Sequence, residues 1–323
     1  MKIITSRRAV LGAALAAPMI ARAQDHWPSR PIRFIVAFAA GGAADTAARS
    51  IAADMQEALG QNIVIENRTG GNATIAANAT LQSPRDGYTF LVDAANQLTN
   101  PVLMRDLGFD YQRDFQPVTQ ICSFPQVIAV KTDFPARTLA EFIQYAKANP
   151  NTVSVGTPPA AGMAHLALAA FEQRAGVRLV HAPYRGGADA ARDIMSGSID
   201  AVLITTNSVR PPVMSGKARI LAVTSLERIP TLPDVPTIAE SGFPGYDMND
   251  WNGVFAATGT PMGPILRIAA AAAVSARAAP VRARMDPAGA IMSGSSPEVF
   301  ATWLEGQRRT AVEVVRSAGI TLG

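Results

Sequence analysis

Strand-like apolar runs alternate with helix-length amphipathic stretches along nearly the whole chain. Residues 32–38 read as a buried strand, and residues 45–59 carry their apolar side chains on one helical face. Further strands are expected at 62–65, 88–92, 127–130, 153–155, 179–180, 201–204, 220–224 and 253–256. Helices are expected at 139–148, 164–175, 188–195, 264–278 and 297–318. This alternation predicts an α/β fold with parallel-rich sheets and helices on both faces, because right-handed crossovers place them there. At roughly 150 residues per domain, 323 residues suffice for two such sheets side by side. Joints rich in proline and glycine fall at 230–236 and 242–245.

Composition removes several function classes. With 48% hydrophobic and 17% charged residues the chain is not an intrinsically disordered one. The single Cys122 excludes an intrachain disulfide and a multi-cysteine metal cage, and suits an oxidising compartment only if buried or unreactive. The net charge of +4 is matched by Lys2, Arg7, Arg8 and Arg22 near the amino terminus, so the remainder is close to neutral. No nucleic-acid partner is expected. His26, His165 and His181 lack zinc-site spacing, and the chain has no G-x-S-x-G elbow, dinucleotide fingerprint or P-loop. No catalytic residue, metal or cofactor is therefore assigned. The pattern points to binding without turnover.

Residues 1–23 read as an export leader: a cationic start, the apolar stretch 9–17, and Ala21-Arg22-Ala23 before Gln24. Ser6-Arg7-Arg8-Ala9-Val10-Leu11 resembles a twin-arginine signal. A soluble, exported product is expected.

Several predicted strands run into small-residue loops that open helices. The first is Phe38-Ala39-Ala40-Gly41-Gly42-Ala43-Ala44-Asp45. Small residues admit a ligand close to the backbone, and the free N–H groups of a first helical turn attract anions. The same stretch also fits a plain tight turn, with Asp45 merely complementing the helix dipole. Gly156-Thr157-Pro158-Pro159-Ala160-Ala161-Gly162-Met163 repeats the arrangement before the helix bearing His165. Two such loops facing each other across a cleft would clamp a small anion. His165 fits a buried structural role or a ligand contact, and Arg185 in Tyr184-Arg185-Gly186-Gly187 a surface charge or an anion guide. Thr205-Thr206-Asn207-Ser208 supplies four hydrogen-bonding side chains that either cap a helix or touch a solute. Trp251, after the polar turn Asn249-Asp250, fits core or hinge packing.

Taken in order, the chain resembles the exported solute-binding proteins of tripartite tricarboxylate transporters, also called the Bug family. The likeness spans residues 27–323. It is carried by Trp27-Pro28-Ser29-Arg30-Pro31-Ile32, Phe38-Ala39-Ala40-Gly41-Gly42 with Asp45 and Arg49, and Glu66-Asn67-Arg68. Further marks are Asp86-Gly87-Tyr88-Thr89, Asn100-Pro101, His181-Ala182-Pro183-Tyr184-Arg185-Gly186 and Leu221-Ala222-Val223-Thr224-Ser225. Leu232-Pro233-Asp234-Val235-Pro236-Thr237 and Gly259-Thr260-Pro261 complete the series.

The resemblance implies a two-lobed periplasmic binding protein of type II, each lobe a mixed, mostly parallel sheet flanked by helices, with the ligand in the cleft. Lobe one would hold 24–124 and 225–323, and lobe two 125–224. It further implies a monomer that takes a small carboxylate through backbone N–H groups and passes it to a two-component membrane permease. Docking onto a membrane signalling kinase, or an exported enzyme using the same cleft, are the alternatives. The chain departs from the family at Ala37 and Ala40, where prolines are usual, at Gly70-Gly71-Asn72-Ala73, and at Gly162 and Met163, where hydroxyl side chains are usual. Around Ile204 the family often carries an acid. A segment one residue short before Asn100 bears on the contacts of Asn96 and Gln97. These departures suggest a less polar pocket, for a carboxylate with an apolar or aromatic body.

Overall fold

A computed structural model describes residues 27–158 and 162–320. The leader at 1–23, His26, and Pro159, Ala160 and Ala161 of the second loop lie outside the described residues. The chain opens with β1 (Ile32–Val36), α1 (Ala43–Leu59), β2 (Ile63–Asn67), α2 (Thr74–Leu81) and β3 (Thr89–Asp93). It continues through α3 (Asn96–Leu103), α4 (Tyr111–Asp114) and β4 (Phe115–Phe124). Past Pro125 come β5 (Gln126–Lys131), α5 (Leu139–Ala148), β6 (Ser154–Thr157), α6 (Met163–Ala175) and β7 (Val180–Pro183). Then follow α7 (Gly187–Ser196), β8 (Ala201–Thr205), α8 (Thr206–Met214) and β9 (Ala218–Val223). The chain returns through β10 (Asp250–Ala257), α9 (Met262–Ser275), α10 (Ala279–Met285), β11 (Ile291–Met292) and α11 (Pro297–Ala318).

Two mixed sheets result, ordered β11-β4-β10-β3-β1-β2 and β7-β6-β8-β5-β9. In each, most strands run in one direction, as the alternation predicts, and a minority run against them. β1 pairs parallel with β2 and β3, and β6 with β7 and β8, whereas every pairing of β5 and β10 is antiparallel. The connectivity explains the difference. β5 and β10 each enter a sheet where the other strands end, so they must run backwards through it. The two passages are tied together: Gln126 N–H donates to Thr224 Oγ1 at 3.0 Å, and Thr224 Oγ1 donates to Asn249 Oδ1 at 3.0 Å.

Sheet faces are covered as apolar periodicity requires. Phe34, Val36, Ile51, Met55 and Ile268 pack between the first sheet and helices α1 and α9. Trp251, Phe255 and Phe300 pack on its other face beneath α11, with Trp303 edge-on to Trp251 at 5.3 Å. Gly253 belongs to this contact, since a Cβ there would stand 2.4 Å from Phe300 Cζ. Cys122 is fully buried in β4, and burial pushes its thiol far up, away from the reactive thiolate.

Helix α5 starts where its sequence says it should. Thr138 Oγ1 accepts from Glu141 N–H at 3.2 Å, and Glu141 Oε2 accepts from Thr138 N–H at 3.2 Å. Thr138→Ala should lower unfolding stability by about 1 kcal/mol in urea titrations.

Candidate functional site

Helices α1 and α6 begin from Gly42 and Gly162, and neither start carries a side-chain cap. The first N–H groups of a helix have no acceptor within it, so both starts present donors and a positive dipole end. Phe38, Gly42, Ala43 and Ala44 from the first sheet's side and Pro158, Gly162 and Met163 from the second wall one cavity of about 270 Å³. Ala94, Ala95, Asn96, Thr99 and Asn100 line it where β3 passes into α3, and Asp250 and Asn252 where β10 begins. Asn72 completes the wall from a strained turn, with φ of 49° at Asn72 and 72° at Ala73. Non-glycine residues in that region cost about 1–2 kcal/mol each. Its carbonyl oxygen holds the turn by accepting from Asn96 Nδ2 at 3.1 Å and Asn100 Nδ2 at 2.6 Å.

The sequence-derived candidates divide into three groups. Phe38, Gly42, Asn96, Gly162 and Met163 are brought together at this cavity. Ala39, Ala40 and Gly41 form the exposed loop tip and do not line it. Two amides in this loop are already engaged: Gly41 N–H donates to Asp45 Oδ2 at 2.9 Å and Gly42 N–H to the Ala39 carbonyl at 3.1 Å. The donors left at this helix start are those of Ala43 and its successors. Asp45 is 3% exposed and turns into a clasp, accepting from Arg49 Nε at 2.9 Å and Asn67 Nδ2 at 2.9 Å. Burial alone would raise its carboxyl, but Arg49, Gly41 N–H and Asn67 together hold it below the usual range.

The remaining candidates stand behind or beside the cavity. Gln97 is buried beneath it and donates through Nε2 to Asp93 Oδ2 at 3.1 Å. Thr157 is buried, its hydroxyl 2.6 Å from His181 Nε2. His165 stacks on His181 with ring centroids 3.8 Å apart; burial first, then His181, pushes His165 down to about 4. Both imidazoles are neutral near pH 7 and supply no cation. Tyr184 donates its hydroxyl to Asp193 Oδ2 at 2.8 Å, and Gly187 abuts Ser208. Thr205 Oγ1 donates to Asn207 Oδ1 at 2.6 Å. Thr206 lines a different cavity, of about 420 Å³, whose wall includes Val209, Val213, Met214 and Ile220. That space is larger, but it does not bring the starts of α1 and α6 together. No group of three His, Cys, Asp or Glu side chains converges as a metal site among the described residues.

Asn72, Thr99, Asn100, Asp250 and Asn252 were not anticipated from sequence. The polar turn before Trp251 and the glycine-rich stretch before Asn72 were the available cues, and neither marks a cavity by itself.

Two mixed sheets joined by two crossing segments, with opposed helix starts walling a common cavity, define a two-lobed solute-binding protein of the periplasmic type II class. The model of the TctC family, tripartite tricarboxylate transporter family receptors, matches residues 47–289. A protein of the tcbD-tcbE intergenic region of Pseudomonas sp. is 36% identical over 92% of this chain and 90% of its own length. An R. palustris protein solved with adipate is 33% identical with a TM-score of 0.77, covering 91% of this chain and 99% of that one. MatC from Rhodopseudomonas palustris, solved with bound malate, is 28% identical with a TM-score of 0.73, covering 90% and 100% respectively. The chain belongs to the tripartite tricarboxylate transporter receptor family. It is a binding protein and not an enzyme.

Proposed function

We propose that the protein captures a small carboxylate in the 270 Å³ cavity and delivers it to a two-component permease of the tripartite tricarboxylate type. The observation that carries this reading is the convergence of two uncapped helix starts on one cavity. A carboxylate there receives charge-assisted hydrogen bonds from main-chain donors that are fixed before binding. Phe38, Pro158, Met163, Ala94 and Ala95 hold its apolar body, aliphatic or aromatic. The relatives solved with adipate and with malate support the carboxylate class.

Closure is a hinge motion in which lobe one, 24–124 and 225–323, and lobe two, 125–224, approach about the paired passages at Pro125 and Thr224. A solute that bridges both helix starts binds the closed form more tightly, and that difference sets how far it shifts the equilibrium. On this reading the leader expected at 1–23 directs the protein to the periplasm, where it works as a soluble monomer.

Thermal-shift and calorimetric titration of succinate, malate, adipate, benzoate and their primary amides tests this. Carboxylates should bind one per chain and raise the unfolding midpoint by several degrees when supplied at about 100 times Kd. Amides bound as tightly as the matching acids would overturn the reading.

A further inference from the structure

The second of the two opposed helix starts has nothing local to hold it. Gly162 precedes α6 without a side chain that could accept from the first turn, and an uncapped helix end frays. The start is nonetheless part of a cavity wall, through Pro158, Gly162 and Met163. Donors serve a ligand best when they are fixed in place before it arrives. What fixes these donors lies outside their loop.

His181 reaches both sides of that loop. In β7 it stands opposite Val155 of β6, two residues before Thr157, so its side chain and that of Thr157 share a face of the sheet. On that face Val155 belongs to the same buried cluster as Leu166 and Phe171 of α6. His181 Nε2 lies 2.6 Å from the Thr157 hydroxyl, at the strand end that enters the loop. Its ring stacks on His165, in the first turn of the helix that leaves the loop, with centroids 3.8 Å and planes 21° apart. A further tie holds α6 beside β7, since Glu172 Oε1 accepts from Leu179 N–H at 2.7 Å.

Charge has no part in this contact. Burial lowers both imidazoles, and no carboxylate offsets it, so neither carries a charge near pH 7. The carboxylates on the flanking helices are engaged elsewhere, Glu172 with Leu179 and Asp193 with the Tyr184 hydroxyl. A neutral pair also avoids the repulsion that an imidazolium meets at the positive end of a helix.

We propose that His181 is a positioning residue for the second helix start. It clamps the strand end before the loop to the helix turn after it, and so presets the main-chain donors of Met163 and Ala164. Its effect on a solute runs only through those donors. The consequence for solute affinity rests on the carboxylate reading above, whereas the consequence for the helix start does not.

Two measurements on the natural protein, His181→Gln, His181→Leu and Thr157→Val test it. The first is amide hydrogen exchange of the ligand-free protein, read by NMR at Leu166, whose N–H donates to the Gly162 carbonyl at 3.0 Å. Val202, in the central strand β8 of its sheet, is the internal reference. The second is calorimetric titration with adipate and benzoate at pH 7.5. His181→Leu and Thr157→Val should each speed exchange at Leu166 at least tenfold relative to Val202. Each should also weaken whichever probe the natural protein binds by at least tenfold. His181→Gln, whose amide can still donate to or accept from the Thr157 hydroxyl, should recover most of both losses. Unchanged exchange at Leu166 in the Leu and Val variants, or a Gln variant as damaged as the Leu one, overturns the proposal. Faster exchange with affinity intact overturns it too, because the donors would then need no presetting. If the natural protein binds neither probe, the carboxylate reading fails and the exchange measurement alone decides the clamp. If His181→Leu does not fold, Thr157→Val decides, since it removes the same bond with a side chain of the same shape.

Discussion

Ala43→Asp should reduce carboxylate binding at least about 100-fold, which corresponds to about 2.7 kcal/mol, while leaving the fold as stable as before or more so. Ala43 is the first residue of α1, exposed on its own surface and part of the cavity wall. An aspartate there carries its own carboxylate to the donors that the solute is proposed to use. A negative charge in a first helical turn is favourable by about 0.3–1 kcal/mol, so the helix gains while the ligand is repelled. Ala43→Asn adds the same bulk without the charge and should lose much less affinity. Calorimetric titration of the two variants with the best carboxylate, beside urea unfolding, separates charge from shape. Equal losses in both would show that the wall acts only by its contour and would remove the helix start from the binding account.

The opposite signs of these two effects follow from a feature that sequence exposes well. Small-residue loops opening helices are visible in the chain itself, and the boundaries of α5 and α11 coincide with expectation because a threonine or serine cap precedes an amphipathic run. Sequence was blind where local pattern and tertiary role disagree. β4, ten residues long, reads Phe-Gln-Pro-Val-Thr-Gln-Ile-Cys-Ser-Phe, without alternation, and becomes a strand only because β10 pairs along it. α3 and α8 contain Pro101, Pro211 and Pro212, which argue against helix locally. In the candidate site, Asp45 sits in a ligand-like loop but is claimed by Asn67, which lies in β2 on the far side of α1. Thr205 and Tyr184 likewise have the right chemistry yet bond side chains two and nine residues further along the chain. Asp250 and Asn252 join the cavity only once β10 has returned from the second sheet, a contact between residues far apart in the chain.

Asp93→Asn should stabilise the protein at pH 8 by about 1–3 kcal/mol and remove most of a pH dependence that the natural chain shows between about pH 4 and 7. Asp93 ends β3, has no exposed surface, and accepts from Ala94 N–H at 2.9 Å and Gln97 Nε2 at 3.1 Å. Burial outweighs both hydrogen bonds and raises its carboxyl from 3.8 to about 7. Across that window the folded protein keeps a proton that the unfolded chain has released. Stability must therefore fall as pH rises from about 4 to about 7, by an amount on the order of a few kcal/mol, and level off above. Asp250, raised to about 6, adds a smaller slope of the same sign, which should survive in the Asp93 variant. Gln97 Oε1 is buried without a donor, so an amide at position 93 has a partner waiting. Its oxygen can keep the Ala94 N–H, and its NH2 can donate to the Gln97 oxygen once that amide turns over. Urea unfolding of both proteins at pH 4.5 and pH 8 isolates the effect, because carboxylates such as Asp45 and Asp200, whose lowered values act in the opposite direction, cancel in the difference. A variant less stable than the natural protein at pH 8 would mean that the charged carboxylate is the form the fold prefers, and that its two hydrogen bonds outweigh the cost of its burial.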